Sequence, residues 1–361
     1  MPQRVINFNP GPAALPLPVL EQVQAELLDF EGTGMSILES SHRAPAFDAV
    51  NTEAQALLRR LMGLPEGYQV LFLQGGASLQ FAMLPMNLLG PDQHGDYVNT
   101  GVWSGKAIKE AEIVGRARLA GSGEAEGFRR IPEPDEVVWD PAARYAHYTS
   151  NNTIYGTQWH RLPEVGDLPL ICDMSSDILS RPIEAARYAM IYAGAQKNLG
   201  PSGLTVVIIR DDLVEAGRAD IPSMLQYRIH AAKRSLYNTP NTFGIYCLWR
   251  CLQHVERLGG VPAVEAENRA KQALLYATID ASEGFYRGTA DPASRSWMNA
   301  TLRLPDEALE QRFVAEAAAA GMVGLKGHRS AGGIRVSMYN AVPLAGVERL
   351  VDFMQDFKRR G

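Results

Sequence analysis

The sequence predicts an α/β fold, a mostly parallel mixed sheet flanked by helices, followed by a smaller α+β region. Three observations point there. From residue 18 to about residue 258 short apolar runs alternate with stretches of helical spacing, the signature of repeated strand–helix units. Those runs are apolar throughout, as strands buried on both faces are. After Gly259-Gly260 the texture changes to longer helical stretches separated by single strand-like runs.

Taken in order, strands are expected at 69–73, 96–99, 145–149, 168–172, 188–192 and 205–209. Between them the spacing predicts helices, including 78–89 and 104–113, whose apolar residues recur every three to four positions. Beyond the glycine pair come a helix over 264–279, a strand over 298–304, an Ala-rich helix over 306–320 and a strand over 334–338. In the closing helix Val347, Leu350, Val351 and Met354 make one apolar stripe. The division is therefore a large α/β domain, 18–258, and a smaller α+β domain, 259–361. Residues 1–17, rich in Pro and Gly, are too few to fold alone and are expected to pack against the smaller domain.

With 361 residues, 46% of them hydrophobic, the chain can bury cores of ordinary size. A net charge of −5 and the lack of a basic block argue against nucleic acid or an anionic membrane as partner. A small molecule is the expected partner. The first 18 residues hold no apolar stretch of the kind a signal peptide needs, and the best later run, 206–209, is far too short to span a bilayer. Three cysteines, Cys172, Cys247 and Cys251, are too few for a disulfide framework and lack metal-ligand spacing. Cys247 and Cys251, one helical turn apart, are expected on a buried helix face. The composition reads as a reduced, cytoplasmic enzyme.

The sharpest local feature is 193–203, AGAQKNLGPSG, where Lys197 follows a buried strand among small residues. A lysine there loses solvent, which lowers its pKa and frees the amine to attack an aldehyde, though the segment alone also reads as a surface loop. Upstream, 168–173, LPLICD, is an apolar strand ending in Asp173, and strand ends are where parallel sheets present functional groups. Asp173 reads either as a partner for a protonated pyridine nitrogen or as a helix cap or loop acid. The spacing, 197 − 173 = 24 residues, favours the first reading, since one further loop and strand would return the lysine beside the acid.

The turn 74–80, QGGASLQ, lies between a strand and a helix, so its backbone N–H groups and the Ser78 hydroxyl can point at an anion. Two further segments, 151–153 (NNT) and Asn238-Thr239, carry suitable donors or are plain turns. Trp103, just past a strand end, reads as a plate for a flat ring or as a core residue. Cations recur as His42-Arg43, as His328-Arg329 and as Arg335, a chemistry suited to dianions, although each pair also reads as solvated surface. The stretch 121–127, GSGEAEG, has the wrong spacing and two acids where a pyrophosphate would sit, so a surface loop is expected.

Together these residues resemble the phosphoserine aminotransferases, a branch of the fold-type-I pyridoxal-phosphate enzymes within the class V aminotransferases. The likeness runs through FNPGPA (8–13), Met35-Ser36 with SHR (41–43), GGASLQF (75–81), NNTIYGT (151–157), Gln196-Lys197, YNTP (237–240), GLKGHRS (324–330) and YNA (339–341). It implies the fold-type-I architecture and pyridoxal 5′-phosphate, with Lys197 as the Schiff-base lysine, Asp173 as partner of the ring nitrogen and Trp103 stacked on the ring. Ala77, Ser78, Thr153 and Gln196 would complete the cofactor pocket. Asn238 and Thr239 would reach the cofactor phosphate in the neighbouring subunit of a homodimer with shared sites.

For substrate the resemblance implies Asn9, His42, Arg43, His328, Arg329 and Arg335, with Arg335 on the α-carboxylate. The implied substrates are glutamate, 2-oxoglutarate, phosphoserine and 3-phosphohydroxypyruvate in serine biosynthesis, with 4-phosphohydroxy-L-threonine in pyridoxine biosynthesis as a further possibility. Some members carry an Arg in the Gly-rich turn where this chain has Ala77-Ser78, so the resemblance implies one phosphate contact fewer here. Within the superfamily an alanine or serine to glyoxylate aminotransferase would not need two His-Arg pairs. A cysteine desulfurase would need a nucleophilic Cys in a late loop, and no Cys follows Cys251.

Overall fold

The computed structural model describes residues 4–361. Residues 1–3 of the expected N-terminal segment lie outside them. The centre is a seven-stranded sheet in the order Tyr68–Leu73, Thr205–Arg210, Met190–Gly194, Leu170–Asp173, Ala146–Thr149, His94–Asn99, Arg116–Ser122. Thr205–Arg210 runs antiparallel to both of its neighbours, and the remaining pairings are parallel. This is the mixed, mostly parallel sheet that the apolar runs predict.

Side chains alternate across the pleat, which explains why the strands are apolar throughout. Val70, Phe72, Val206 and Ile208 face the helices Pro45–Met62 and Thr242–Arg257. Leu71, Leu73, Val207 and Ile209 face the helices Gly76–Leu88 and Val102–Val114. Cys247 and Cys251 lie buried on Thr242–Arg257, as their spacing predicts.

Two expectations need correction. The edge strand Arg116–Ser122 was not legible, because an edge strand has one solvated flank: of its residues only Ala120 is buried. Its last two residues are Gly121 and Ser122, so the glycine-rich stretch expected as loop begins inside the sheet and only then turns through Glu124–Glu126. The strand expected from 168 begins two residues later, at Leu170, and ends in Asp173 as the reading of 168–173 expects.

After Gly259-Gly260 the chain builds a three-stranded antiparallel sheet, Arg287–Gly288, Asn299–Arg303 and Ile334–Ser337, packed by helices Val261–Asp280, Glu307–Ala319 and Leu344–Arg360. The stripe Val347, Leu350, Val351 and Met354 is wholly buried in that core. The N-terminal segment joins it, because Ile6–Asn7 pairs with Met322–Val323 and Phe8 is fully buried there. No helix among the described residues is long and apolar enough to cross a membrane.

Candidate active site

The C-terminal ends of the parallel strands and the turns that follow them hold most of the residues expected around the cofactor. Asp173 closes its strand and is only 4% exposed. Its Oδ1 accepts from the Ser175 backbone N–H (3.0 Å) and the Ser175 hydroxyl (2.6 Å), and that hydroxyl accepts from the Gly194 N–H at 3.0 Å. Oδ2 takes no hydrogen bond among the described residues and is left free for another donor. Burial pushes the Asp173 carboxyl up, while the Lys197 charge and the Ser175 bonds hold it down.

Lys197 sits in the turn after the neighbouring strand Met190–Gly194. Burial around the ammonium pushes its pKa down; Asp173 opposes that shift, Arg335 reinforces it and the second buried acid, Asp177, opposes it. The result is a lysine more easily deprotonated than a free one, placed beside a carboxylate that keeps it in reach of protonation.

The Lys197 Nζ lies 5.3 Å from the centroid of the Trp103 ring. Trp103 is on the first turn of Val102–Val114, and its indole N–H donates to the Thr153 hydroxyl at 3.1 Å. That bond fixes the ring as a plate near the amine. At the end of the edge strand Tyr68–Leu73, Gly75 caps Gly76–Leu88 with φ of 88° and no side-chain cap, so the first N–H groups of the helix stay available. A Cβ on Gly75 would sit 2.6 Å from the Leu79 Cβ, so the turn demands glycine. Ala77 and Ser78 are in that first turn, and the exposed Ser78 hydroxyl has no protein partner among the described residues. The turn has the geometry to hold an anion, chiefly through its backbone.

Arg335, on the strand Ile334–Ser337, is 7% exposed. Its Nη1 donates to the Thr153 carbonyl at 3.3 Å, while its Nε has no partner and no carboxylate pairs with it among the described residues. A buried, unpaired guanidinium suits a carboxylate arriving from outside. His328 feels burial and then the charges of Arg335, Arg329 and Lys106, all of which push its pKa down; its Nδ1 lies 2.7 Å from the Ser330 hydroxyl. Arg329 is exposed.

The N-terminal segment lies across the lysine turn. The Ala13 N–H donates to the Gln196 carbonyl at 2.9 Å, and a Cβ on Gly11 would stand 3.4 Å from the Lys197 Cγ. Asn9 is held at its N–H by the Asn7 side chain (2.9 Å), and it approaches Gly324 so closely that a Cβ there would meet Asn9 atoms at 2.5 Å. The Tyr339 hydroxyl donates to the Pro10 carbonyl at 2.8 Å.

Four expected residues are not brought to this cluster. His42 and Arg43 lie on a surface turn before Pro45–Met62. Asn238 and Thr239 occupy another, where the Asn238 amide donates to the Thr239 carbonyl (3.1 Å), which also accepts from Gln74 (3.4 Å). Sequence reasoning also missed Ser175 and Asp177, two and four residues beyond Asp173. The signal was the run of small polar residues after the strand. Asp177 accepts from Ser150 and from Gln158, the latter at 3.0 Å.

Residues 5–350 match the family described as Aminotransferase class-V. The chain is 57% identical over 360 residues to a phosphoserine aminotransferase of Lysinibacillus sphaericus, covering 100% of this chain and 99% of that one. Among solved structures it is similar to a phosphoserine aminotransferase from Bacillus circulans subsp. alkalophilus, at 53% identity and TM-score 0.98, with 99% of each chain covered. It is also similar to the PLP-bound phosphoserine aminotransferase of Trichomonas vaginalis, at 37% identity and TM-score 0.93, covering 98% of this chain and 100% of that one.

Proposed function

The chain belongs to the class-V aminotransferase family, and from that premise we propose that it acts as a phosphoserine aminotransferase. It moves an amino group reversibly between L-glutamate and 3-phosphohydroxypyruvate, giving 2-oxoglutarate and O-phospho-L-serine, the transamination of serine biosynthesis. The observation that carries the reading is a deprotonation-prone Lys197 set beside Asp173 and Trp103, near a buried guanidinium that lacks an acid.

The residues fit pyridoxal phosphate. The uncapped helix start at Gly76–Ser78 suits its phosphate, the free Oδ2 of Asp173 suits its ring nitrogen and the Trp103 plate suits its ring. When bound, the cofactor supplies the aldehyde carbon that accepts amines and an electron-withdrawing ring. Lys197 Nζ takes the proton from the donor's Cα and, in the second half of the cycle, returns one to the acceptor's Cα. Ser175 keeps Asp173 oriented and ionised by donating twice to Oδ1, so that Oδ2 holds a proton at the ring nitrogen. Arg335 takes the α-carboxylate, and Asn9 lines the same side. His328 and Arg329 meet the distal anion, which is a carboxylate in glutamate and a phosphate in phosphoserine. Thr153, Ala77, Ser78 and Gln196 complete the cofactor's surroundings.

We also propose a cytoplasmic homodimer with shared sites. Leu28 is 84% exposed and Leu38 54%, both in the segment that leads to the turn carrying His42 and Arg43, and such apolar exposure suits a subunit contact. A partner covering that surface would bring its own His42, Arg43, Asn238 and Thr239 to this protomer's site. The large domain, 18–258, then holds the cofactor, and the smaller one, 259–361 with residues 1–17 against it, closes on the substrate. The test is to add phosphoserine to the purified holoenzyme and follow the cofactor's visible absorption. Loss of the band with phosphoserine but not with alanine supports the assignment. A protein that stays colourless with pyridoxal phosphate, or a Lys197→Ala variant that still transaminates, refutes it.

A further inference from the structure

One cation near the site has no place in the account above. Lys106 is exposed and lies one helical turn beyond Trp103 on Val102–Val114. Its ammonium stands 4.8 Å from the centroid of the Trp103 ring, the same ring that Lys197 approaches to 5.3 Å. It forms no ion pair with any Asp or Glu among the described residues, as is so for every lysine of the chain but Lys358, so its charge is open to an incoming anion.

Lys106 also belongs to a group. Arg335, Arg329 and Lys106, from two separate segments, are the charges felt at His328, and no acid is among them. Three cations thus surround His328 and push it toward its neutral form, and with no acid among them the group favours an incoming anion. Arg335 is committed to the α-carboxylate, which leaves His328, Arg329 and Lys106 around the distal group. A distal carboxylate carries one negative charge, and a phosphate monoester carries between one and two at neutral pH.

We propose that Lys106 is part of the receptor for the substrate's phosphate and sets the preference for a phosphate over a carboxylate at the distal position. The inference rests on the proposed phosphoserine aminotransferase activity and assigns it a specificity residue. Because Lys106 is exposed, its contribution is modest and sensitive to salt.

The test compares Lys106→Gln with the charge-retaining Lys106→Arg, both as holoenzymes. With Lys106→Gln, the KM for phosphoserine and its calorimetric dissociation constant rise about fivefold, by analogy with other partly exposed charge-assisted contacts. The KM for glutamate moves less than about twofold, since a single distal charge gains less from the lost cation. Turnover at saturation is unchanged, and Lys106→Arg restores wild-type values. Raising salt to about 0.5 M weakens phosphoserine binding more in the wild type than in Lys106→Gln. Removing Lys106 also relieves the push on His328, so phosphoserine binding persists to higher pH in the variant than its overall loss of affinity implies.

A Lys106→Gln enzyme whose KM for phosphoserine and glutamate change alike overturns the proposal. So does a fall in kcat shared by all substrates, which would mark Lys106 as a mere support for Trp103. If the wild type itself does not turn over phosphoserine, the activity assignment fails first, and the comparison between variants shows which of the two is wrong.

Discussion

Replacing Arg335 by Met separates the stability of the fold from the binding of substrate. The guanidinium is 7% exposed, has a single hydrogen bond, to Thr153, and leaves Nε without a partner. Burial holds its pKa below that of a free arginine. An uncompensated buried ion costs several kcal/mol, and an apolar residue of similar length removes that cost while giving up the Thr153 bond, worth about 1 kcal/mol. The expected balance in the holoenzyme without substrate is a gain of about 1 kcal/mol, read as a rise in Tm of roughly 2 °C. Substrate binding moves the other way. Truncating one side of a buried charge pair costs roughly 2–5 kcal/mol, so kcat/KM for every amino acid should fall from about thirtyfold to several thousandfold. The assays are thermal unfolding without substrate and steady-state kinetics with both glutamate and phosphoserine. An Arg335→Met enzyme that melts lower yet keeps kcat/KM within about threefold would refute the reasoning, since the arginine would then be structural.

Other outcomes follow from the same geometry. Mixing inactive Lys197→Ala and Arg43→Ala proteins under exchange conditions should restore about a quarter of wild-type activity, because half the dimers are mixed and each has one intact shared site; no recovery on mixing would remove the shared-site reading. Ser175→Ala removes one of the two donors that hold Asp173 down, so the Asp173 pKa rises and the acid limb of the kcat profile moves to higher pH, with kcat lower by about tenfold; an unmoved acid limb counts against that role. Lys271 is fully buried, donates to the carbonyls of Met338, Tyr339 and Val342, and has its pKa pushed down to about 8 by burial. Between that pH and the unfolded lysine's value, the unfolded chain binds the extra proton, so wild-type stability should rise with pH relative to Lys271→Met, by at most about 3 kcal/mol. Denaturant titrations at pH 7 and pH 10 that show no such divergence refute the assignment.

The strands of the large sheet were legible because both of their faces are buried, so composition alone marked them. The edge strand Arg116–Ser122 was not, since a single buried residue leaves no apolar run to see. Lys197 and Asp173 stood out by chemistry and spacing, and the fold accounts for both: each lies at or just after the end of one of two paired strands. The cationic pairs were visible as residues but not as a group. His328 and Arg335 share one chain's site, whereas His42 and Arg43 are on a turn separated from it, a distinction that depends on tertiary placement. Ser175 escaped notice because the run of small polar residues after the strand does not say which of them returns to the acid until the turn brings the Ser175 N–H and hydroxyl onto one carboxylate oxygen. Lys106 escaped for a related reason: it looks like any solvated helix lysine until the Trp103 ring is found beneath it.

The segment around Pro10 has a consequence for how the protein comes into being. Its carbonyl is held by Tyr339, 329 residues later, and its neighbours pair with Met322–Val323 while pressing on the turn of Lys197. The strands that carry Lys197 and Asp173 precede Met322–Val323 in the chain, so they are synthesised before the N-terminal segment has a strand to join. A chain that ends before Met322 would leave Ile6–Asn7 without its paired strand, and with it the anchor that holds Gly11 and Ala13 against the turn of Lys197.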